Sequence, residues 1–307
     1  MLPWIEKYRP QTIDKIVGND ELKTLLTTIL TNHIKMPHFI FYGTPGNGKT
    51  SSILAFAHEL YGKSFEYNVL QLNASINKGI DSVRNIILSF IKRKAMTNQN
   101  NVDYTMIILD EADALTVDAQ SSLRKIIEQY TETTKFCIIC NYMSKIIYPI
   151  VSRCMPIYFK PLSKDNITNQ LQKISVNENL YLDDKIIDAI IETSNNDMRK
   201  CIGLLQNIKY YYQKNFKISQ KLIYDINDDI SNEDTIKIYN DILMKPMNEE
   251  INYIVQQSIP LKKLCEKLLL LCDLNINITN NIFKIIENIN NGADIYIQTC
   301  LLVSLFK

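Results

Sequence analysis

This chain of 307 residues has no apolar run long enough to span a bilayer and no N-terminal apolar signal segment. A soluble, intracellular protein is expected, without a membrane partner. Net charge is also missing: 34 Lys and Arg against 33 Asp and Glu leave a formal +1, so any nucleic-acid surface has to be local rather than global. The 7 cysteines are an odd number without compact disulfide spacing, which argues against a disulfide-stapled scaffold and suits a reducing compartment. Cys137 and Cys140 have the spacing of half a metal site, but no second pair follows. Inside the apolar run Lys135-Phe-Cys-Ile-Ile-Cys-Asn141 they read as small hydrophobes. No internal repeat is evident. What remains is ordinary globular composition, 46% hydrophobic and 22% charged, with room for two or three cores.

Strand-like runs at 38–42, 67–72, 104–110, 135–140 and 155–159 alternate with helical ones through the first half. Such alternation predicts an α/β domain whose parallel sheet is covered by helices on both faces. Lys160-Pro-Leu-Ser163 marks a boundary, with Ser163 a candidate N-cap, and beyond it the strand signals fade. Residues 163–177, 183–193 and 197–212 read as three amphipathic helices of a small bundle. A polar stretch from Asp225 to Asp234 precedes a second helical block, whose most apolar helices are Leu261–Leu271 and Asp294–Phe306. Three domains are expected: an α/β nucleotide-binding domain over 1–160, a helical lid over 161–225 and a C-terminal helical domain over 226–307.

Residues 43–50 read Gly-Thr-Pro-Gly-Asn-Gly-Lys-Thr, a complete Walker A phosphate-binding loop. The apolar run His38-Phe39-Ile40-Phe41-Tyr42 leads into it, and Ile53, Leu54, Phe56, Ala57 and Leu60 continue at helical spacing, the strand–turn–helix context the motif requires. Its glycines let backbone N–H groups wrap phosphates, and the helix N-terminus adds positive potential. Lys49 is expected to reach the β- and γ-phosphates and Thr50 to ligate Mg²⁺. About 60 residues on, Ile107-Ile-Leu-Asp-Glu-Ala-Asp113 ends another apolar run. Asp110 and Glu111 at a strand's C-terminal end fall where α/β proteins place their ligand crevice. Asp110 would hold the Mg²⁺ and Glu111 would polarise the attacking water, because phosphoryl transfer needs mainly positioning and charge neutralisation.

Asn141 ends the next apolar run and is expected beside Asp110, where a neutral amide can hydrogen-bond the γ-phosphate or the water; a turn residue is the alternative. Arg199, in Asn196-Asp-Met-Arg-Lys200, opens a helix and could reach across the nucleotide, or could be an ordinary exposed helical arginine.

These residues accumulate into a pattern. Trp4-Ile-Glu-Lys-Tyr-Arg-Pro10 resembles the N-terminal signature of clamp-loader small subunits, the replication factor C family within the AAA+ ATPases. Leu72-Asn-Ala-Ser75 with Gly79-Ile-Asp81 and Val83-Arg84, Leu109-Asp-Glu-Ala-Asp113, Ala119-Gln120 with Leu123-Arg124, Cys140-Asn-Tyr142 with Lys145-Ile-Ile147, and Ser152-Arg-Cys154 match further family boxes in order. The resemblance covers roughly residues 3–206. It departs from the family at Ile76, where an acidic residue is usual, at Asn47 for threonine, and at Asn196 for glycine. The phosphate-loop position of Asn47 is expected to contribute mainly backbone.

The resemblance implies an AAA+ fold with helical lid and C-terminal oligomerisation collar, and an ATPase using ATP and Mg²⁺. Its ATP-binding residues would be Tyr8, Arg9 and Val17 around the adenine, then Gly43, Thr44, Pro45, Gly46, Asn47, Gly48, Lys49, Thr50 and Ser51, with Asn141 and Arg199. Arg153 matches the family's arginine finger, acting on the neighbouring subunit's ATP. Gln120 and Arg124 share one helix face and match residues that couple neighbouring sites; a solvated helix face is the alternative. Lys78 and Arg84 match a DNA-tracking lining, which needs phosphate contacts and no base reading. The region from Ser89 to Asp103, with Phe90 and Met96, falls where the family meets the sliding clamp. The implied partners are other subunits of a pentamer, a sliding clamp and primer–template DNA, in the nucleus or another compartment of DNA replication. Two other readings remain: a non-hydrolysing structural subunit, and another AAA+ motor such as a branch-migration helicase.

Overall fold

The computed structural model describes residues 2–76, 80–93, 102–214 and 217–307, with backbone alone for 80–83. Strands β1 (Phe39–Tyr42), β2 (Val69–Asn73), β3 (Thr105–Asp110), β4 (Thr134–Cys140) and β5 (Met155–Tyr158) form one sheet in the order β2-β3-β4-β1-β5. Every pairing is parallel. The five runs read from the sequence lie within two residues of these strands at each end.

The central strands read as unbroken apolar runs because both their faces are covered. Phe39, Phe41, Met106, Ile108, Cys137 and Ile139 point to one side, where they pack with Phe56 of helix α2 (Lys49–Tyr61) and Leu26 of helix α1 (Asp20–Thr31). The alternate residues Ile40, Ile107, Leu109, Phe136, Ile138 and Cys140 pack on the other side with Ile87 and Phe90 of helix α3 (Ile80–Ile91) and Leu123 and Ile127 of helix α4 (Val117–Tyr130). The two-residue period of an extended chain thus sorts one sequence into two cores. Cys137 and Cys140 belong to these cores, and burial pushes the Cys140 thiol up to about 12. Strand β5 is an edge, where Met155, Pro156 and Tyr158 are exposed. Proline lacks an N–H for a ladder, so an edge is where it is tolerated.

By its contacts the chain forms two compact units, Met1–Asn179 with Asn196–Asn207, and Leu180–Asn195 with Ile208–Lys307. The expected domain boundaries after 160 and 225 coincide with no boundary between these units. Helix α5 (Lys164–Asn177) lies in the first unit, α6 (Asp184–Thr193) in the second, and α7 (Met198–Gln213) starts in the first and ends in the second. Ser163 caps α5, its side chain accepting the Asn166 N–H. The remaining helices, α8 (Gln220–Ile226), α9 (Asn232–Met244), α10 (Met247–Gln256), α11 (Leu261–Leu271), α12 (Ile276–Asn290) and α13 (Ile295–Ser304), belong to the second unit. Ile242, Ile254, Leu264, Leu268, Ile282 and Leu302 lie in its core. The polar stretch 225–234 is part of this unit rather than a plain linker: Ile230 is buried, and Lys267 Nζ lies 3.3 Å from Asp229 Oδ1 and 3.3 Å from Glu192 Oε1. No described helix is long and apolar enough to cross a membrane.

Candidate nucleotide site

Strands β1, β3 and β4 are neighbours, and their C-terminal ends open on one cleft. Gly43 follows β1, Asp110 ends β3 and Asn141 follows β4. The phosphate loop needs glycine where the chain turns left-handed against packed atoms. At Gly43 (φ 141°) a Cβ would sit 2.5 Å from the Phe159 carbonyl oxygen; at Gly46 (φ 81°) it would sit 2.1 Å from Asp197 Oδ1. Asn47 was expected to contribute mainly backbone, yet its side chain is buried and donates from Nδ2 to Thr44 Oγ1 at 2.6 Å. The side chain therefore braces the loop.

Lys49 Nζ donates to Gly43 O at 2.8 Å, Thr44 O at 2.9 Å and Asn141 Oδ1 at 3.1 Å. Burial lowers the Lys49 pKa, and Asp110 and Asp113 oppose that shift. Thr50 Oγ1 donates to Asp110 Oδ2 at 2.7 Å. A hydroxyl and a carboxylate oxygen side by side are hard donors of the kind Mg²⁺ takes, so the residues present fit that ion. The other Asp110 oxygen, Oδ1, accepts the Glu111 N–H at 2.9 Å. Glu111 is exposed and its backbone is left-handed, at φ 53°. That conformation costs a non-glycine residue roughly 1–2 kcal/mol and turns the chain sharply after β3.

Asn141 follows the strand that pairs directly with the one ending at Asp110, as expected. Strand β4 lies between β3 and β1, so the amide sits by Lys49, and its own N–H is accepted by Asp113 Oδ2 at 3.4 Å. Arg199 lies on the first turn of α7 and also lines the cleft. Asp197 caps that helix, its Oδ1 accepting the Arg199 N–H at 2.9 Å and the Lys200 N–H at 3.3 Å.

Tyr8, Arg9 and Val17 line the same cleft, as do Pro45, Gly46, Asn47, Gly48, Lys49, Thr50 and Ser51. Tyr8 donates its hydroxyl to Glu178 Oε1 at 2.6 Å, and the Trp4 N–H donates to Gln206 Oε1 at 2.9 Å. Burial, with Glu178 adding to it, raises the Tyr8 phenol above its usual range.

Arg153 is not in this cleft. It lies exposed after the single turn Tyr148–Val151. Gln120 is buried, which removes the solvated-face alternative for it. Its Nε2 donates to Leu115 O at 3.1 Å and Lys145 O at 3.0 Å, and its Oε1 accepts the Ile147 N–H at 2.8 Å. Arg124 is half-buried on the same helix. Arg84 is exposed on α3, while Lys78, Lys94 and Met96 lie outside the described residues. Phe90, expected as an apolar contact for a clamp, is instead 5% exposed and packs against the sheet.

The sequence reading assigned no role to Asp197, Glu178, Asp113 or Glu128. The signals that could have found them are a capping residue type just before α7 for Asp197 and the four-residue spacing from Arg124 for Glu128. Glu178 carried no local signal, because its partner Tyr8 is 170 residues away.

Residues 39–162 match the family model of the AAA ATPases associated with various cellular activities. The chain is 44% identical over 208 residues to replication factor C subunit 3 of Saccharomyces cerevisiae, covering 68% of this chain and 60% of that protein. It is 42% identical over 228 residues to the replication factor C small subunit of Picrophilus torridus, covering 74% of this chain and 69% of that one. The chain belongs to the replication factor C small-subunit family. For several curated members of the replication factor C family it spans 60 to 63% of their length. Among solved structures, the RuvB Holliday junction branch migration motor of Thermotoga maritima superposes with a TM-score of 0.58 over 87% of this chain and 91% of that one. At 16% identity that likeness concerns the fold alone. The replication factor C signature at Trp4–Pro10 lies before the matched AAA segment, and its Trp4 and Tyr8 rings meet edge to face at 6.1 Å.

Proposed function

We propose that this chain is an ATP-hydrolysing clamp-loader small subunit, which helps to open a sliding clamp and seat it on primer–template DNA. Family membership supports the class. The observation that carries the activity is the convergence on one cleft of Lys49, Thr50, Asp110, Glu111, Asn141 and Arg199. A structural subunit that only binds nucleotide has no use for Glu111.

The residues divide the work. Lys49 exchanges its loop carbonyls for phosphate oxygens. Thr50 and Asp110 hold Mg²⁺, which when bound neutralises phosphate charge. Glu111, turned out of the strand end by its left-handed backbone, orients the water. Asn141 holds Lys49 Nζ and can donate from its amide, and Arg199 brings a cation from the start of α7. Tyr8, Arg9 and Val17 enclose the base. Arg153 completes charge neutralisation in a neighbouring subunit, a contribution of roughly 10³ to 10⁵ in rate where such fingers operate. Gln120 acts on that finger indirectly, by fixing residues 145–147 ahead of the turn that leads to it. Arg84 and Lys78 contribute phosphate contacts to DNA, and with a net charge of +1 these are effective only when several subunits add them together.

The test is hydrolysis in the assembled complex where this is the sole active site. Glu111→Gln should keep ATP binding and lower turnover by about 10² or more. Wild-type turnover should rise with primed DNA plus clamp. Near-normal turnover in Glu111→Gln removes the catalytic assignment, and stimulation by branched DNA in place of primed DNA and clamp points to a different motor.

A further inference from the structure

The guanidinium of Arg153 is already engaged within its own subunit. Its Nη2 lies 2.7 Å from Glu128 Oε1, while Nη1 donates to Pro149 O at 2.7 Å and to Ser152 Oγ at 3.3 Å. The same Glu128 oxygen lies 3.3 Å from Nε of Arg124, one helical turn back on α4. That Nε is buried and makes no hydrogen bond, so Coulomb attraction to Glu128 is the compensation it receives there. One carboxylate oxygen thus serves two cations, one on α4 and one beyond the 148–151 turn.

Helix stability does not account for Glu128. Arginine four residues before a glutamate is the weaker of the two orders for such a pair, because it opposes the helix dipole. The closer of its two contacts is the one to Arg153, 25 residues on in sequence. The side chains of Arg153, Glu128 and Arg124 are 41%, 35% and 40% exposed. An exposed pair holds weakly and is screened by salt, so a polyphosphate with several charges outbids a single carboxylate.

We propose that Glu128 is a positioning residue that holds Arg153 in a rest position on its own subunit, from which the guanidinium must be released to meet a neighbour's phosphate. This rests on Arg153 acting in trans. Without primed DNA and clamp to seat the subunits, Glu128 keeps hydrolysis at the next site low. When the subunits are seated, the phosphate wins.

The experiment measures steady-state ATP hydrolysis by the assembled complex, with and without primed DNA and clamp, for wild type, Glu128→Gln and Arg153→Ala. Glu128→Gln should raise the DNA-free rate about two- to fivefold, the range an exposed pair can shift an equilibrium. The stimulated rate should stay unchanged, so the stimulation ratio shrinks by the same factor. Glu128→Asp, which keeps the charge, should fall between the two. Equal DNA-free rates in Glu128→Gln and wild type, beside a slow Arg153→Ala complex, would overturn this inference alone. An Arg153→Ala complex as fast as wild type would overturn the trans reading and this inference with it. Phenylglyoxal labelling of Arg153 in the full chain gives a second reading and should accelerate in Glu128→Gln. Should that variant not fold, labelling of wild type across a salt series reads the same pair, and a flat series overturns the rest position.

Discussion

The Thr50 hydroxyl donates to Asp110 Oδ2 at 2.7 Å, joining the first turn of α2 to the end of β3. Asp110→Asn keeps an acceptor for Thr50 and removes the charge. ATP affinity measured with Mg²⁺ should fall by about ten- to hundredfold, the worth of a charged hydrogen-bonding partner. Affinity in the presence of a chelator should change little. A fluorescent nucleotide titrated with and without the metal separates the two, and an equal loss in both would mean that Asp110 is structural.

Gly46 admits no side chain, since a Cβ there meets Asp197 at 2.1 Å and the backbone is left-handed. Gly46→Ala should displace the start of α7 and with it Arg199, weakening nucleotide binding. Replacing Asp197 by Ser shortens the opposing side chain and keeps a capping oxygen. In the double variant, part of the lost affinity should return. Strict additivity of the two losses would show that the contact does not transmit to the cleft.

His38 is buried before β1, where its Nδ1 accepts the Phe136 N–H at 3.0 Å and its Nε2 faces Thr131 Oγ1 at 2.9 Å. Burial, then the charge of Lys135, pulls its pKa down to about 4 from 6.5. The folded state therefore keeps the ring neutral while the unfolded chain takes up a proton. Stability on this account is complete above pH 6.5 and declines as pH falls toward 4, by up to about 3 kcal/mol. Denaturant melts of wild type and His38→Gln across that interval should show a flatter pH slope in the variant.

Gln120 satisfies three backbone groups from a buried position. Gln120→Leu keeps the volume and strands the Ile147 N–H, which should cost about 1–3 kcal/mol. The neighbour's hydrolysis should suffer more than this subunit's own nucleotide affinity, because the loosened segment leads to Arg153. A stability loss with normal hydrolysis in the neighbour would limit Gln120 to a packing role.

The sheet was legible in the sequence because its central strands are apolar runs between turn residues, and the phosphate-loop motif marked the strand ends that open on the cleft. Local signals also placed the helix starts, as at Ser163, where a capping side chain precedes the apolar period. What stayed hidden depends on long-range contact. Glu178 meets Tyr8, and Gln206 meets Trp4, across nearly the whole first unit. The place of Asn141 next to the Asp110 strand follows chain order, but its contact with Lys49 depends on β1 flanking β4 on the other side. Phe90 reads as a surface candidate among basic residues, yet it lies on the apolar face of α3 and packs against the sheet.

The carbonyl of Phe159 stands where a Gly43 side chain would be, and Met155–Tyr158 runs in register with Phe39–Tyr42. Between Arg153 and the phosphate loop stands a strut without slack, the four extended residues Met155–Tyr158, about 13 Å at the usual rise. Such a strut tolerates exchange of side chains but not a change of length. One residue inserted within 155–158 would reverse the facing of the strand residues before it and shift Arg153 by about 3.3 Å, more than a hydrogen bond can absorb. A similar insertion at the exposed Lys160–Pro161, past the strut, would leave that spacing intact.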